Sequence, residues 1–326
     1  MTTKGLVALE YINKYGSEMS KWALAKKLYK ERPDIYKSRD NARDIIRYHT
    51  GTLGVKSRKN KINDKHIVKL PNILLFDIET VPMEVYAWGL FKPILNYHNI
   101  KRDWCILSWA GKWLHLPEVF SDITTPDEIK ERDDSRICKS LFDVLEEADI
   151  IISHNALKFD IRKTNSRFLL NGIKKPSPYQ VIDTLKESRS LFAHSSHRLD
   201  FLGSMIKRKE KLYTNFDLWI MCMDGDEESL KYMDEYCKND VLLLEDVYME
   251  MRGWIKSHPN LGLYAETTEP VCPTCMSKDI ESCGEYITTA GAFNSLRCNN
   301  CNAISRMRKS NLTPVEREKL RISVAR

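Results

Sequence analysis

The spacing of apolar positions changes period several times along the chain and marks out its elements. In Thr3–Tyr15, Leu6, Leu9, Tyr11 and Ile12 recur near helical spacing. A second helix is expected after Ser20, its cap, with Trp22, Ala23, Ala25, Leu28 and Tyr29 on the apolar side. Beyond Pro33, Ser38 or Asp40 is placed to cap a third helix, Asn41–His49, with Ala42, Ile45, Ile46 and Tyr48 inward. Arg43 and Arg47 lie four apart on another face of it, and Gly51 and Gly54 end it. The pattern then changes. Ile73, Leu74, Leu75 and Phe76 form a short apolar run of the kind found in buried strands. Trp104–Trp113 predicts a second strand with a turn at Gly111-Lys112, and Trp113–Phe120 a third. Ser140–Ala148 returns to helical spacing, and Asp149–Ser153 is again a buried strand. Asp160 opens a helix with Ile161, Phe168 and Leu169 inward and Arg162, Lys163 and Arg167 outward, closed by Asn171-Gly172. Pro176 and Pro178 break the chain before Gln180–Leu185. Ser195–Ile206 reads as a helix around Leu199, Leu202 and Met205, and Leu230–Trp254 as one long helix or two abutting ones.

Short helices followed by mixed strands and helices predict an α/β core behind an all-helical N-terminal unit. The length of 326 residues fits one substantial core with small modules at its ends. The expected divisions are a helix-turn-helix-like unit over 1–54, a basic linker over 55–70, the α/β core over 71–258, a cysteine module over 259–310 and a basic tail over 311–326. With 42% hydrophobic and 29% charged residues the composition is that of a globular protein, and no apolar run is long enough to span a membrane. Met1–Gly16 lacks the apolar block of a signal peptide. Nine cysteines without such a signal suggest a reducing, cytoplasmic setting.

The net charge of +6 is unevenly distributed. Met1–Leu70 holds 17 Lys and Arg against 7 Asp and Glu, and Pro270–Arg326 holds 9 against 5, which leaves the body between them at −8. Basic ends around an acidic body suit a protein that grips a polyanion with its ends. In that reading the third helix enters a groove, with Arg43 and Arg47 on phosphates; a structural cap or protein-docking module is the alternative. Lys207–Lys211 is a charged loop, most simply a solvated one.

Three acidic stretches carry candidate chemistry. Asp77 and Glu79 end the first strand two residues apart, so both point to one face. Hard cations such as Mg²⁺ or Mn²⁺ prefer such oxygen ligands, although an acidic pair at a strand end also serves as a turn or cap. Asp160 starts a helix after a strand, a position that suits metal ligation and an N-cap equally. Tyr236 and Asp240 lie one turn apart on one helix face, where a core tyrosine and a surface aspartate are the plain reading.

Together these motifs resemble those of the proofreading-type 3′→5′ exonucleases, with the closest likeness to the exonuclease domain of family B DNA polymerases. Asp77-Ile78-Glu79 matches the first motif, Asn155, Phe159 and Asp160 the second, and Tyr236 and Asp240 the third. Ser196 with Leu199-Asp200 resembles an intermediate stretch of that family, and the likeness runs from about Pro71 to Gly253. The resemblance implies an RNase H-like mixed-sheet core in a free-standing nuclease, or an exonuclease partner for a separate polymerase or replication protein. It implies that Asp77, Glu79, Asp160 and Asp240 hold two Mg²⁺ or Mn²⁺ ions for phosphodiester hydrolysis, with Tyr236 orienting the attacking water. Asn155 and Phe159 would hold or stack the terminal nucleotide. The substrate would be DNA, single-stranded or at duplex ends and junctions, as in replication or repair. RNA hydrolysis at the same site and a non-catalytic nucleic-acid scaffold are the rivals.

Cys272-x-x-Cys275 and Cys298-x-x-Cys301 are two paired-thiol motifs in a segment too small to build its own core. Four thiolates at this spacing favour one structural Zn²⁺ in a zinc ribbon, with Cys283 as an alternative ligand. Arg297, Arg306, Arg308 and Lys309 around it suggest phosphate contact. Cys105, Cys138, Cys222 and Cys237 sit in apolar surroundings and read as core.

Overall fold

The structure, a computed structural model, describes residues 3–16, 19–50, 71–207, 212–264, 269–289 and 291–320. The expected basic linker and most of the Lys207–Lys211 loop lie outside them. Three helices open the chain: α1 (Thr3–Tyr15), α2 (Lys21–Glu31) and α3 (Arg39–His49). Ser20 caps α2 through Ala23 N–H, and Ser38 caps α3 through Asn41 N–H. Their small core gathers Ala8, Leu24, Ala25, Leu28, Tyr36, Ala42 and Ile46, and the Tyr36 hydroxyl donates to the Lys4 carbonyl at 2.6 Å.

The body that follows holds β1 (Ile73–Thr80), the short pair β2 (Glu84–Val85) and β3 (Ile100–Arg102), β4 (Ile106–Trp113) and β5 (Val119–Ile123). Next come α4 (Pro126–Glu131), α5 (Ser135–Leu145), β6 (Ile150–Ser153), α6 (Asp160–Leu170), β7 (Gln180–Asp183) and α7 (Thr184–Leu191). Then follow α8 (Leu199–Lys207), α9 (Phe216–Met223) and the long α10 (Glu227–Met251). The main sheet is mixed, in the order β5-β4-β1-β6-β7. β1 lies at its centre, antiparallel to β4 and parallel to β6.

Period 2 sorts the β1 side chains onto the two sheet faces. Ile73 and Leu75 pack with Cys237, Val241, Leu244 and Val247 of α10 and with Leu199 and Leu202 of α8. Leu74, Phe76 and Ile78 pack on the opposite face with Ile137, Leu141 and Val144 of α5 and Phe168 of α6. Trp22 and Ala23 of α2 join that second layer, so the N-terminal unit is packed onto the body. Trp22 meets Phe120 with ring centroids 5.7 Å apart.

The sheet departs from the sequence expectation at Gly111-Lys112, which is strand and not turn. A Cβ at Gly111 would lie 2.9 Å from the Phe120 ring, so the glycine makes room for a neighbour on β5. Buried Lys112 is held by Glu245 of α10 at 2.6 Å. Arg167 of α6, expected outward, is also drawn in. Its Nε and Nη2 donate to Asp134 at 2.6 and 2.8 Å, and fully buried Asp134 also accepts from Ile106 N–H and Asn171. Leu169, expected inward, is exposed instead.

After α10 the chain makes a 3-10 turn, Arg252–Trp254, and then reaches a three-stranded antiparallel sheet of β8 (Ile280–Thr288), β9 (Gly291–Cys298) and β10 (Ile304–Arg306). A short helix, α11 (Pro314–Lys319), follows. Gly253 abuts this unit so closely that a Cβ would collide with the Cys301 carbonyl oxygen. Leu261 N–H donates to the Pro273 carbonyl at 2.7 Å. Among the described residues no helix is long and apolar enough to cross a membrane.

Candidate metal centres

The first centre forms where β1 meets α10. Asp77 and Glu79 lie opposite Ala110 and Ser108 of β4, on the sheet face that carries Ile73 and Leu75. That is the face α10 covers, so the helix turn bearing Asp240 comes down over the end of the strand. One carboxylate oxygen each of Asp77, Glu79 and Asp240 lies within 4.8 Å of the others. Asp240 is buried and the other two are half-buried. Gathering three carboxylates in a partly desolvated place raises their mutual repulsion, and the donor set of three hard oxygens suits a divalent cation. Cys237 lies beneath them, its Sγ 3.6 Å from the Asp77 carbonyl oxygen. Burial, with Asp77, Glu79 and Asp240 around it, holds that thiol protonated.

Asp160 is not one of the three, although it lies close to β1. It is almost completely buried at the start of α6, and neither of its carboxylate oxygens reaches hydrogen-bond geometry. Burial pushes its carboxyl up to about 7, and Asp183 adds to the shift, while the Ser153 hydroxyl and the Ile78 backbone pull the other way. No side-chain hydrogen bond from Asp160 caps α6; Phe159 occupies the cap position.

Tyr236 is buried one turn before Asp240. Its ring stands edge-on to Trp219 of α9, at 6.4 Å and 76°, within a third apolar group that includes Val81, Leu107 and Met233. Asn155 adopts a left-handed backbone, φ 76°, and its N–H donates to Asp183 at 3.1 Å. Phe159 is half-buried against the α5–α6 layer. Asp200 pairs with Arg198 at 3.5 Å.

The structure departs from the sequence expectation for Arg43 and Arg47, which face the body rather than a groove. Arg43 is buried and ion-paired to Asp143 of α5, donates to the Asp143 carbonyl at 2.8 Å, and lies 3.6 Å from Glu147. Arg47 lies 4.0 Å from the same Glu147. A helix whose arginines are matched to carboxylates of the body has that face occupied, and it cannot offer them to phosphates without breaking the pairs.

Residues that spacing did not single out complete the surroundings. Asp183 ends β7 and caps α7, accepting from the N–H groups of Asn155, Leu157, Leu185 and Lys186 at 3.1 to 3.2 Å. It thereby fixes the loop that leads into Asp160. His154 is held between Thr184 and the His197 carbonyl, each at 2.9 Å. Beside Thr80 and Met83 opens a cavity of about 440 Å³ lined also by Trp104, Lys163, Phe216 and Trp219. The Asp-Thr step in Gln180–Leu185 was the available signal for α7. The cavity draws on segments far apart in sequence and had none.

The second centre is built from Cys272, Cys275, Cys298 and Cys301, whose sulfurs all lie within 4.8 Å of one another. Cys272–Cys301 and Cys275–Cys298 are 3.6 and 3.5 Å apart. A tetrahedron of sulfurs about 2.3 Å from a Zn²⁺ has edges near 3.8 Å, so the arrangement fits such an ion. Hydrogen bonding from Cys272 pushes the Cys275 thiol down to about 4, which favours a thiolate there. Cys283 is exposed on β8 and outside the cluster. Cys105, Cys138, Cys222 and Cys237 are buried in the body, as expected. Arg306 lies over the Phe293 ring at 4.2 Å.

No protein-family model matches the chain, and no curated protein does. Among solved structures it is similar to the family B DNA polymerase from the hyperthermophilic archaeon Pyrobaculum calidifontis, at 14% identity and a TM-score of 0.43. The likeness covers 59% of this chain and 26% of that polymerase, and it is weak.

Proposed function

We propose that the chain is a metal-dependent 3′→5′ exonuclease acting on DNA, with an RNase H-like core over about 71–258. The observation that carries the reading is the convergence of Asp77, Glu79 and Asp240 where β1 meets α10. A carboxylate cluster repels nucleic-acid phosphate and is of no use to a binding protein unless cations intervene. Divalent Mg²⁺ or Mn²⁺, when bound, supplies the positive charge that admits the scissile phosphate and lowers the pKa of an attacking water. The residues of the chain have separate parts in this. Asp77 and Glu79, fixed by strand register, and Asp240, fixed by the helix, set the ligand positions. Asp160 completes the set, since its buried carboxylate would be ionised by a nearby cation. Tyr236 orients the water rather than removing its proton, because an ordinary phenol near pKa 10 is a poor base at neutral pH. Asn155 and Phe159 are assigned to the terminal nucleotide. Polarity follows from the motif resemblance of these residues to the proofreading exonucleases. The cysteine cluster is assigned one structural Zn²⁺ in a ribbon module over 259–310.

The test is nucleotide release from labelled single-stranded DNA, duplex DNA and RNA in Mg²⁺ or Mn²⁺. A strand blocked at its 3′ end should resist digestion while a 5′ block is tolerated. The reverse pattern, or cleavage of a circular strand as the main activity, would place the enzyme in another class. Preference for the RNA strand would reassign the substrate and keep the site. Elemental analysis of protein purified without added zinc should find about one ion per chain. Cys272→Ser/Cys301→Ser should lose it.

A further inference from the structure

Between β2 and β3 the chain leaves the sheet and exposes a series of large apolar side chains. Trp88, Leu90, Phe91 and Ile94 are each at least 95% exposed, and Tyr86 and Tyr97 are exposed by 65% and 76%. Large apolar side chains exposed together along one short segment mark a contact site in a folded protein. Its chemistry narrows the partner. From Val85 to Arg102 there is no Asp or Glu, while Lys92, His98, Lys101 and Arg102 are interspersed with the aromatics. At the base, the acidic Glu84 is already matched by Arg102, Lys101 and Arg132. The loop also has a direction. Pro82 and Met83, just ahead of β2, form a wall of the 440 Å³ cavity that begins at Thr80, next to Glu79. Inside that cavity the Lys163 ammonium lies 3.6 Å over the Trp104 ring, and Trp219 connects it to Tyr236. Exposed aromatic faces with Lys92 among them and Lys163 at their foot, on a segment without negative charge, are what an unpaired nucleic-acid strand requires: π-faces for bases and cations for phosphates.

We propose that the aromatic loop around Trp88 and Phe91 is a stacking platform for an unpaired nucleic-acid strand, and that the cavity at its foot leads that strand to the carboxylate cluster. The loop selects single strands over closed duplex because stacked bases have no free faces to offer. That the strand is then cut rests on the nuclease reading above; that it is bound does not.

The experiment uses the full chain in EDTA, where hydrolysis is silent, and measures anisotropy of labelled oligo-dT, oligo-rU and a blunt duplex. Trp88→Ala/Phe91→Ala should bind the single strands at least tenfold more weakly and the duplex almost unchanged. Trp88→Tyr/Phe91→Tyr should restore most of the affinity, whereas Trp88→Leu/Phe91→Leu should not, because leucine keeps apolar area but has no ring to stack. Loss with oligo-dT alone, or with oligo-rU alone, would identify the strand chemistry. Mn²⁺-dependent hydrolysis of thymidine 5′-p-nitrophenyl phosphate, too short to span both loop and cluster, should be equal in wild type and alanine variant. Wild-type affinity in the alanine variant overturns the proposal, as does full rescue by leucine. A change in sedimentation from dimer to monomer with unchanged strand affinity would reassign the surface to self-association. If the wild type hydrolyses nothing and the alanine variant still loses strand binding, the nuclease reading fails and the platform stands.

Discussion

Two of the places where charge is drawn in from solvent are arranged in opposite ways. At the seam between α3 and α5, Arg43 and Arg47 are set against Asp143 and Glu147. At the junction of β1 and α10, Asp77, Glu79 and Asp240 are set against one another, with Asp160 buried close to the same strand. The first arrangement is complete within the chain: opposite charges desolvated together hold two units in one orientation. The second brings like charges together, an arrangement that suits a divalent cation among them. Opposite charges brought together serve the packing of the chain, and like charges gathered at one point make a place for a cation.

Asp240→Asn should lower Mg²⁺-dependent nucleotide release by at least about a thousandfold, the effect of losing several kcal/mol of electrostatic stabilisation. Melting in EDTA should be unchanged or higher, because a like charge has been removed. Equal turnover of the purified variant and wild type would remove the cluster from the chemistry.

Arg43→Ala should do the reverse. It takes from the partly desolvated Asp143 its ion-pair partner and leaves Glu147 with Arg47 alone, a loss of about 3–5 kcal/mol in urea unfolding. Turnover per folded molecule at low temperature should be retained. A loss under about 1 kcal/mol would mean that this seam is looser than its burial implies.

The effect of Asp160→Asn should depend on pH. Burial raises this carboxyl from 3.8 to about 7, so the folded protein keeps a proton that the unfolded chain has released. Wild-type stability in EDTA therefore falls as pH rises from about 4 to about 7, and the cost is fully present above that. The asparagine variant should be more stable at pH 8, on the order of a few kcal/mol, and the gap should close as pH is lowered towards 4. Added Mg²⁺ should stabilise the wild type more than the variant. A gap that does not vary with pH would show that ionisation is not its source.

The smallest effect belongs to Arg47→Ala. At 4.0 Å from Glu147 it is the weaker of the two arginines, and about 1 kcal/mol or less is expected in the same urea assay.

What could be read in the sequence was whatever depends on period and short spacing. Period 2 put Asp77 and Glu79 on one face, and helical period put Tyr236 and Asp240 on another, both as found. The paired cysteines announced their cluster in the same way. Missing was anything decided by a distant partner. Gly111 and Lys112 looked like a turn because glycine next to lysine does; Phe120 and Glu245 make them strand. Arg43 looked free for phosphate and Arg167 solvated, because charged helix positions face outward; Asp143, Glu147 and Asp134 draw them in. The aromatic run between Tyr86 and Tyr97 has no clear period, and nothing local says that those side chains stay uncovered.

Helix α10 is a single element of 25 residues, with Asp240 near its middle and Gly253 against Cys301 just beyond its end. At about 1.5 Å per residue, the rise from Asp240 to Gly253 is about 20 Å. The chain thus carries a built-in ruler. With Mn²⁺ in the carboxylates and Co²⁺ in the thiolates, a dipolar spin-coupling measurement would return one narrow distance for as long as the helix stays whole. Broadening of that distance would report fraying at the joint before either metal was lost.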